Sequence, residues 1–125
     1  MAKKVLIVDD ETHIRILLEQ TLEELEDKGV ELLSAGDGET ALGLIQEQQP
    51  DLVFLDVMMP KMNGFDVCYH VKKKLNLKGM YIIMLTAKGQ EFDKKKGEEV
   101  GANLYMTKPF DPDDLLEKAM EILGL

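Results

Sequence analysis

The sequence predicts an α/β fold in which five parallel strands form one sheet that is covered by helices on both faces. Short apolar runs alternate with stretches of helical periodicity along the chain, and strands that alternate with helices form parallel sheets through right-handed crossovers. The apolar runs are continuous, as in strands buried on both faces. The length of 125 residues suits one domain, so we expect residues 1–125 to form a single domain.

The five apolar runs predict strands at residues 5–8, 32–35, 52–55, 81–85 and 104–106. Each run is short enough for a strand and is followed by a stretch whose apolar residues recur at the helical spacing i, i+3, i+4, i+7. These periodic residues are Ile14, Leu17, Leu18, Thr21, Leu22 and Leu25 in the first helix, Ala41, Leu44 and Ile45 in the second, Val67, Cys68, Val71 and Leu75 in the third, and Leu115, Leu116, Ala119, Met120 and Leu123 in the fifth.

Two helices have further signals. Pro112 stands where the fifth helix should begin, a position that suits proline. Residues 90–100, the fourth helical segment, contain few apolar residues, a run of lysines and Gly97. Because glycine weakens a helix interior, we expect the fourth helix to be marginal.

Composition restricts the environment and the partners. The formal net charge is -9 and the pI is near 4.7, which disfavours nucleic acid and anionic membranes as direct partners. Cys68 is the one cysteine, so no intrachain disulfide forms, and we expect it in the core. No apolar run approaches the roughly 20 residues of a spanning helix. We expect a cytoplasmic protein.

Polar residues follow four of the predicted strands. Asp9 and Asp10 come after the first strand, Asp56 after the third, Thr86 after the fourth and Lys108 after the fifth. Ligands bind at the carboxyl ends of parallel strands, near the point where the strand order reverses. We therefore expect these five side chains to lie together at one edge of the sheet.

The charges of this group predict a divalent cation. Three carboxylates held close repel one another, and the single amine of Lys108 offsets only one of their charges. A divalent ion would neutralise the rest. Oxygen ligands without histidine or cysteine favour a hard ion such as Mg²⁺.

Other interpretations assign structural roles to the same residues. Asp10 or Thr86 could cap a helix, Asp56 could end a strand in a turn, and Lys108 could be solvated. For the remaining polar residues we expect structural roles: His13 and His70 at the surface, and residues 72–74 and 94–96 as solvated lysines. A methionine cluster is expected to pack within a loop; its members are Met58, Met59 and Met62.

Four segments, "VLIVDDE", "PDLVFLDVMMPKMNGFD", "IIMLTA" and "YMTKPF", occur in this order from the first residues to the last part of the chain. Together they resemble the receiver domain of two-component response regulators. The resemblance implies a flavodoxin-like, doubly wound (βα)5 sandwich with strand order 2-1-3-4-5. It also implies that the Lys108–Pro109 peptide bond is cis and that Gly64 allows the backbone to turn.

The same resemblance implies roles for the residues at the strand ends. Asp56 would accept a phosphoryl group from a sensor histidine kinase or a phosphotransfer protein. Asp9, Asp10, Asp56 and the backbone carbonyl of Met58 would bind Mg²⁺, with Mn²⁺ as an alternative ion.

The remaining residues of the motif would respond to the phosphoryl group. Thr86 and Lys108 would bind its oxygens, and the Tyr105 side chain would turn inward when Asp56 is phosphorylated.

The implied function is a phosphorylation-controlled signalling switch. The domain would act without being an enzyme, beyond assisting its own phosphorylation and slow dephosphorylation. Its output would pass through the fourth helix, fifth strand and fifth helix to a protein target or to an output domain that this sequence lacks. A stand-alone receiver is preferred because no linker follows "EILGL".

Three alternatives are weaker. A phosphatase of the haloacid-dehalogenase type would need a second aspartate two residues after the nucleophile, where Met58 or Thr12 stands. A flavodoxin-like nucleotide binder would need a phosphate-binding loop after the first strand, and "DDETH" has the wrong charge. A receiver that binds partners without phosphorylation is disfavoured because all five site positions are filled.

Overall fold

The computed structural model describes residues 2–77, 79–87 and 91–125. Its strands are β1 (Lys4–Val8), β2 (Glu31–Ala35), β3 (Leu52–Asp56), β4 (Tyr81–Ala87) and β5 (Leu104–Lys108). Its helices are α1 (Thr12–Glu26), α2 (Gly38–Gln48), α3 (Gly64–Tyr69), α4 (Glu91–Val100) and α5 (Pro112–Leu123), and α3 continues as a π-helical segment, His70–Lys74.

The five strands form one parallel sheet in the order β2-β1-β3-β4-β5, as the resemblance implies. The order reverses between β1 and β3, which pair through Val8 and Leu55 at their carboxyl ends. In β4 and β5 the corresponding ends pair Ala87 with Lys108. Asp56 and Lys108, which were predicted to follow their strands, are the last residues of β3 and β5. Together with the residues that follow β1, they meet at one edge of the sheet, as predicted.

The core lies on both faces of the sheet because successive strand residues point to opposite sides. On one face, Leu6 and Leu55 pack with side chains of α2 and α3; on the other, Ile7 and Phe54 pack with side chains of α1 and α5. Cys68 is fully buried in the first of these clusters, as predicted. The helices on both faces fix the sheet and hold the ends of the strands in place.

The ends of the helices near the site are closed by local hydrogen bonds. Asn63 and Asp66 form a capping box at the start of α3, which satisfies backbone donors that a helix otherwise leaves free. Asp111 accepts hydrogen bonds from the backbone N–H groups of Asp113 and Asp114, and Pro112 occupies the first turn of α5 as predicted.

The third helix departs from its predicted pattern. Lys72 was expected in solvent, but its side chain is 7% exposed, and its amine donates to the carbonyl oxygen of Met80. Leu75, which was expected on the apolar face, ends the π-helical segment as an exposed residue. The wider π turns change which side chains face the core, so a count based on α-helical periodicity gives the wrong face here.

The fourth helix begins at Glu91, close to its predicted start. Gln90, the first residue of the prediction, lies outside the residues that the structure describes. Val100 closes the helix as a buried residue of the core cluster on the α2 and α3 face.

Candidate functional site

Three aspartates form an acidic cluster at the carboxyl edge of the sheet. One carboxylate oxygen from each of Asp9, Asp10 and Asp56 lies within 4.8 Å of the others. Asp9 is fully buried and Asp56 is 3% exposed, whereas Asp10 is exposed to solvent. The cluster therefore has two buried carboxylates and one that faces water.

Lys108 supplies the positive charge inside the cluster. Its amine donates to Asp9 Oδ2 at 2.9 Å and to Asp56 Oδ1 at 3.0 Å. These ion pairs join β5 to the ends of β1 and β3, and they contradict the alternative in which Lys108 is solvated. The peptide bond between Lys108 and Pro109 is cis, as the resemblance implies.

The loop between β1 and α1 is tied by hydrogen bonds to Asp9. The backbone N–H of Glu11 donates to Asp9 Oδ1 at 2.9 Å, and the guanidinium of Arg15 donates to the carbonyl oxygen of Asp9 at 2.5 Å. Glu11, and not Asp10, is the N-cap residue of α1, so the alternative in which Asp10 caps this helix is wrong. Sequence reasoning missed Arg15, which carries no motif signal of its own.

The loop after β3 approaches Asp56 closely. The backbone N–H of Met58 donates to Asp56 Oδ1 at 3.4 Å, while the Met58 side chain is 72% exposed. A Cβ added to Gly64 would lie 2.4 Å from the backbone carbonyl oxygen of Asp56. Glycine at position 64 therefore lets α3 begin directly against the strand that carries Asp56.

Thr86 and Tyr105 lie on the adjacent strands β4 and β5. Thr86 is 2% exposed, and it belongs to β4, so it does not follow the strand as predicted. Both residues line a cavity of about 390 Å³ whose wall includes Phe110 and Asp114. Tyr105 is half-buried, and the cavity beside it leaves room for its ring to change position.

Burial changes the protonation of the two central groups. It raises the pKa of Asp56 from 3.8 to about 6, aided by the charge of Asp9 and opposed by the hydrogen bond from Lys108. Burial by itself lowers the pKa of Lys108, but the hydrogen bonds to Asp9 and Asp56 outweigh it, and the pKa is raised. Lys108 thus stays charged, while Asp56 binds a proton more readily than an exposed aspartate.

The donor set fits a hard divalent cation. All three side chains offer carboxylate oxygens, and the one nearby amine leaves the cluster with excess negative charge. Oxygen ligands of this kind suit Mg²⁺ and Mn²⁺. The role of the Met58 backbone carbonyl oxygen as a further ligand stays a prediction.

A family model for the response regulator receiver domain matches residues 5–120. The chain belongs to this family. The receiver fold, the reversal between β1 and β3 and the acidic cluster at that reversal are thus features of one known kind of domain, which serves in phosphorylation-controlled signalling. The haloacid-dehalogenase alternative has no support.

Individual relatives agree with this assignment. The chain is 46% identical over 124 residues to the alkaline phosphatase synthesis transcriptional regulatory protein PhoP of Bacillus subtilis (strain 168). The match covers 98% of this chain and 49% of that protein. The chain thus spans about half the length of the curated relatives it matches.

Solved receiver structures superpose over nearly the whole chain. The chemotaxis protein CheY4 of Vibrio cholerae has a TM-score of 0.85 at 36% identity, covering 98% of this chain and 99% of that one. The BeF3-activated DrrB receiver domain has a TM-score of 0.85 at 30% identity and covers 100% of both chains. Among the helices that the structure describes, none is long and apolar enough to cross a membrane.

Proposed function

We propose that Asp56 is the phosphoacceptor of this receiver domain. Its carboxylate ends a central strand, lies beside Asp9 and accepts a hydrogen bond from Lys108 at 3.0 Å. Of the three aspartates in the cluster, Asp56 is the one whose backbone is held on a sheet strand. A nucleophile on a rigid strand keeps its position as the charge in the site changes.

The transfer is a substitution at phosphorus. A carboxylate oxygen of Asp56 attacks the phosphorus of a phosphohistidine on a kinase or phosphotransfer protein. The bond between phosphorus and the histidine nitrogen breaks, and the electron pair remains on that nitrogen. Asp56 becomes an acyl phosphate. Such transfers depend on positioning and on charge neutralisation.

The neutralisation comes from two sources. Lys108 is already paired with Asp9 and Asp56, so its amine is in place to bind a phosphoryl oxygen on Asp56. Asp9, Asp10, Asp56 and the backbone carbonyl of Met58 would hold Mg²⁺, with Mn²⁺ as an alternative. When bound, this ion neutralises negative charge between the carboxylates and the incoming phosphoryl group.

The conformational change that follows phosphorylation passes from Thr86 to Tyr105. A phosphoryl group on Asp56 adds negative charge and strong acceptor oxygens, toward which the buried hydroxyl of Thr86 would turn. Because Thr86 and Tyr105 line the same cavity, this movement opens space for the Tyr105 ring. The surface formed by α4, β5 and α5 then changes its shape, and its partners respond.

We also propose a biological setting for this domain. Residues 1–125 form one receiver domain that acts in the cytoplasm, takes its phosphoryl group from a sensor histidine kinase or phosphotransfer protein, and acts on a protein target or an output domain. It contacts neither nucleic acid nor membrane directly. It assists its own phosphorylation and slow dephosphorylation but turns over no external substrate.

The observation that carries the proposal is the convergence of Asp9, Asp10, Asp56 and Lys108 at the strand-order reversal. Incubation with acetyl phosphate and Mg²⁺, followed by intact-mass measurement, should show one added phosphoryl group. Asp56→Asn should abolish the gain, and removal of divalent ions should suppress it.

Asp51, which directly precedes β3, provides a matched control. It lies at the opposite edge of the sheet, where its carboxylate accepts a hydrogen bond from the backbone N–H of Lys4 at 2.8 Å. Asp51→Asn should gain the phosphoryl group as the unmodified protein does. A mass gain that survives in Asp56→Asn would move the acceptor to another residue.

A further inference from the structure

A groove between α3 and α4 is lined by none of the aspartates of the acidic cluster. It has a volume of about 440 Å³, and its apolar lining includes Met62, Phe65, Tyr69 and Val100. Phe65 and Val100 are buried and form its floor, while Tyr69 is 45% exposed at its mouth. Exposed aromatic side chains of this kind are common anchors of protein interfaces.

The rim of the groove is basic in a protein that is acidic overall. Lys61, Lys74 and Lys96 line it, whereas the whole chain has a formal net charge of -9. Lys96 lies with its amine 5.8 Å from the centre of the Phe65 ring, within the range of a cation–π contact. Lys61 also borders a neighbouring cavity with Asp37, so we base the charge of this groove on Lys74 and Lys96.

The carboxylate in the groove belongs to the helix end. Among the described residues that line it, Asp66 is the one acid, and its side chain accepts a hydrogen bond from the Asn63 backbone N–H at 3.2 Å. Asp66 thus places negative charge at the N-terminus of α3, and this charge repels a phosphate group. This disfavours a nucleotide as the ligand. We therefore expect the lysines of the groove to pair with carboxylates of a bound partner.

We propose that the groove between α3 and α4 binds an acidic segment of a partner protein, which inserts one aromatic or large aliphatic side chain between flanking carboxylates. The apolar floor accommodates the side chain, and Lys74 and Lys96 pair with the carboxylates. No residue of the acidic cluster or of the cavity of Thr86 and Tyr105 lines this groove, although Lys96 and Val100 of α4 also belong to the proposed output surface. Its binding of an acidic segment therefore goes beyond the proposed phosphoacceptor function. Charge complementarity of this kind selects partners and guides their approach.

The probe is a short synthetic peptide with one phenylalanine flanked on both sides by aspartates and glutamates. Titrated into the ¹⁵N-labelled protein, it should shift the amide resonances of Phe65, Tyr69 and Lys96 and yield a dissociation constant. Replacing the peptide's phenylalanine by alanine, or its acids by the corresponding amides, should weaken binding. ATP should leave these resonances unchanged.

Neighbouring lysines of α4 provide a matched pair of variants. Lys96 lines the groove, whereas Lys95 is exposed on the same helix and does not. Lys96→Glu should weaken peptide binding about fivefold, the scale of an exposed charge pair that is reversed, and Tyr69→Ala should weaken it as well. Lys95→Glu changes the net charge equally and should leave the affinity unchanged.

Four outcomes would overturn the proposal. The groove resonances could fail to shift at millimolar peptide, or Lys95→Glu could weaken binding as much as Lys96→Glu, which would show attraction to overall charge alone. ATP could bind in place of the peptide, which would make this a nucleotide site. The same resonances could shift with protein concentration without peptide, which would identify a second copy of the chain as the occupant.

Discussion

Asp56 has a pKa that places its protonation change close to neutral pH. Burial raises this pKa to about 6, with the charge of Asp9 acting in the same direction. Because a metal ion binds the deprotonated carboxylate, protons compete with Mg²⁺ below this pKa. Between pH 7 and pH 5 we expect the Mg²⁺ dissociation constant to rise about tenfold, measured by isothermal titration calorimetry.

The control for this pH dependence is Asp56→Asn, which should bind Mg²⁺ more weakly but with a smaller change over the same pH range. A dissociation constant of the unmodified protein that stays the same from pH 7 to pH 5 would contradict the raised pKa of Asp56.

The same shift predicts how stability depends on pH without metal. The pKa of Asp56 is about 6 in the folded protein and near 3.8 when unperturbed, so between these values the folded state binds more protons than the unfolded state. The contribution of Asp56 to stability is therefore present at low pH and is lost as pH rises from about 4 to about 6. Above pH 7, Asp56→Asn should raise the free energy of unfolding by on the order of 1–3 kcal/mol.

Urea denaturation in the presence of a chelator measures this difference at pH 4.5 and pH 8. The gain should be larger at pH 8. An Asp56→Asn variant that is less stable than the unmodified protein at pH 8 would show that the Lys108 ion pair outweighs the cost of burying the Asp56 charge.

Single residues show what the sequence can and cannot predict. Asp9, Asp10, Asp56 and Lys108 were predicted at one edge because parallel strands bring their carboxyl ends together, and the structure confirms this. Lys72 was predicted in solvent because it begins a run of three lysines, yet it is buried. Its burial depends on the Met80 carbonyl and on the π turns, which no local pattern reveals.

At the scale of elements, α3 is placed by its contact with β3. Gly64 begins α3, and a Cβ there would lie 2.4 Å from the Asp56 carbonyl oxygen and 3.0 Å from Val57 Cα. Because both neighbours are backbone atoms, one in the last residue of β3 and one in the residue that follows it, Gly64→Ala should displace α3 and lower the free energy of unfolding by about 1–3 kcal/mol. Urea denaturation tests this.

Gly43 is the matched control, since it lies inside α2 and nothing is within 4 Å of the position of an added Cβ. Gly43→Ala should therefore raise the free energy of unfolding by up to about 1 kcal/mol. Equal effects of the two substitutions would show that the close approach at Gly64 does not position α3.

Element boundaries were predictable to different degrees. Each strand contains its predicted apolar run, but β4 and β5 each continue two residues further, to Ala87 and Lys108. The central strands β1 and β3 are buried along most or all of their length, which leaves few other patterns for a short strand. The third helix was predicted only in part: its start agrees with the apolar spacing, but its π-helical end does not. Periodicity assumes a constant number of residues per turn, so it fails where the turn widens.

At the scale of the whole molecule, stability and the acidic cluster are linked. An ion that binds the folded form alone stabilises it by mass action, by about 2.7 kcal/mol at one hundred times its dissociation constant. Mg²⁺ at that concentration should raise the melting temperature by roughly 5–15 °C. Because the net charge of -9 is also screened by salt, the reference sample needs NaCl at equal ionic strength.

Asp10→Asn should reduce this Mg²⁺-dependent shift, since it removes the exposed carboxylate of the cluster. A melting temperature that rises equally with Mg²⁺ and with NaCl would argue against a specific ion site.

We predict that a phosphoryl group on Asp56, at one edge of the sheet, changes the surface formed by α4, β5 and α5. Amide hydrogen exchange with and without a beryllofluoride phosphoryl mimic and Mg²⁺ tests it most directly. We predict changed protection in residues 91–106 of the unmodified protein, no change in Asp56→Asn, and a much smaller change in Thr86→Ala. Changes confined to α1, with residues 91–106 unaffected, would contradict a link from Asp56 to this surface.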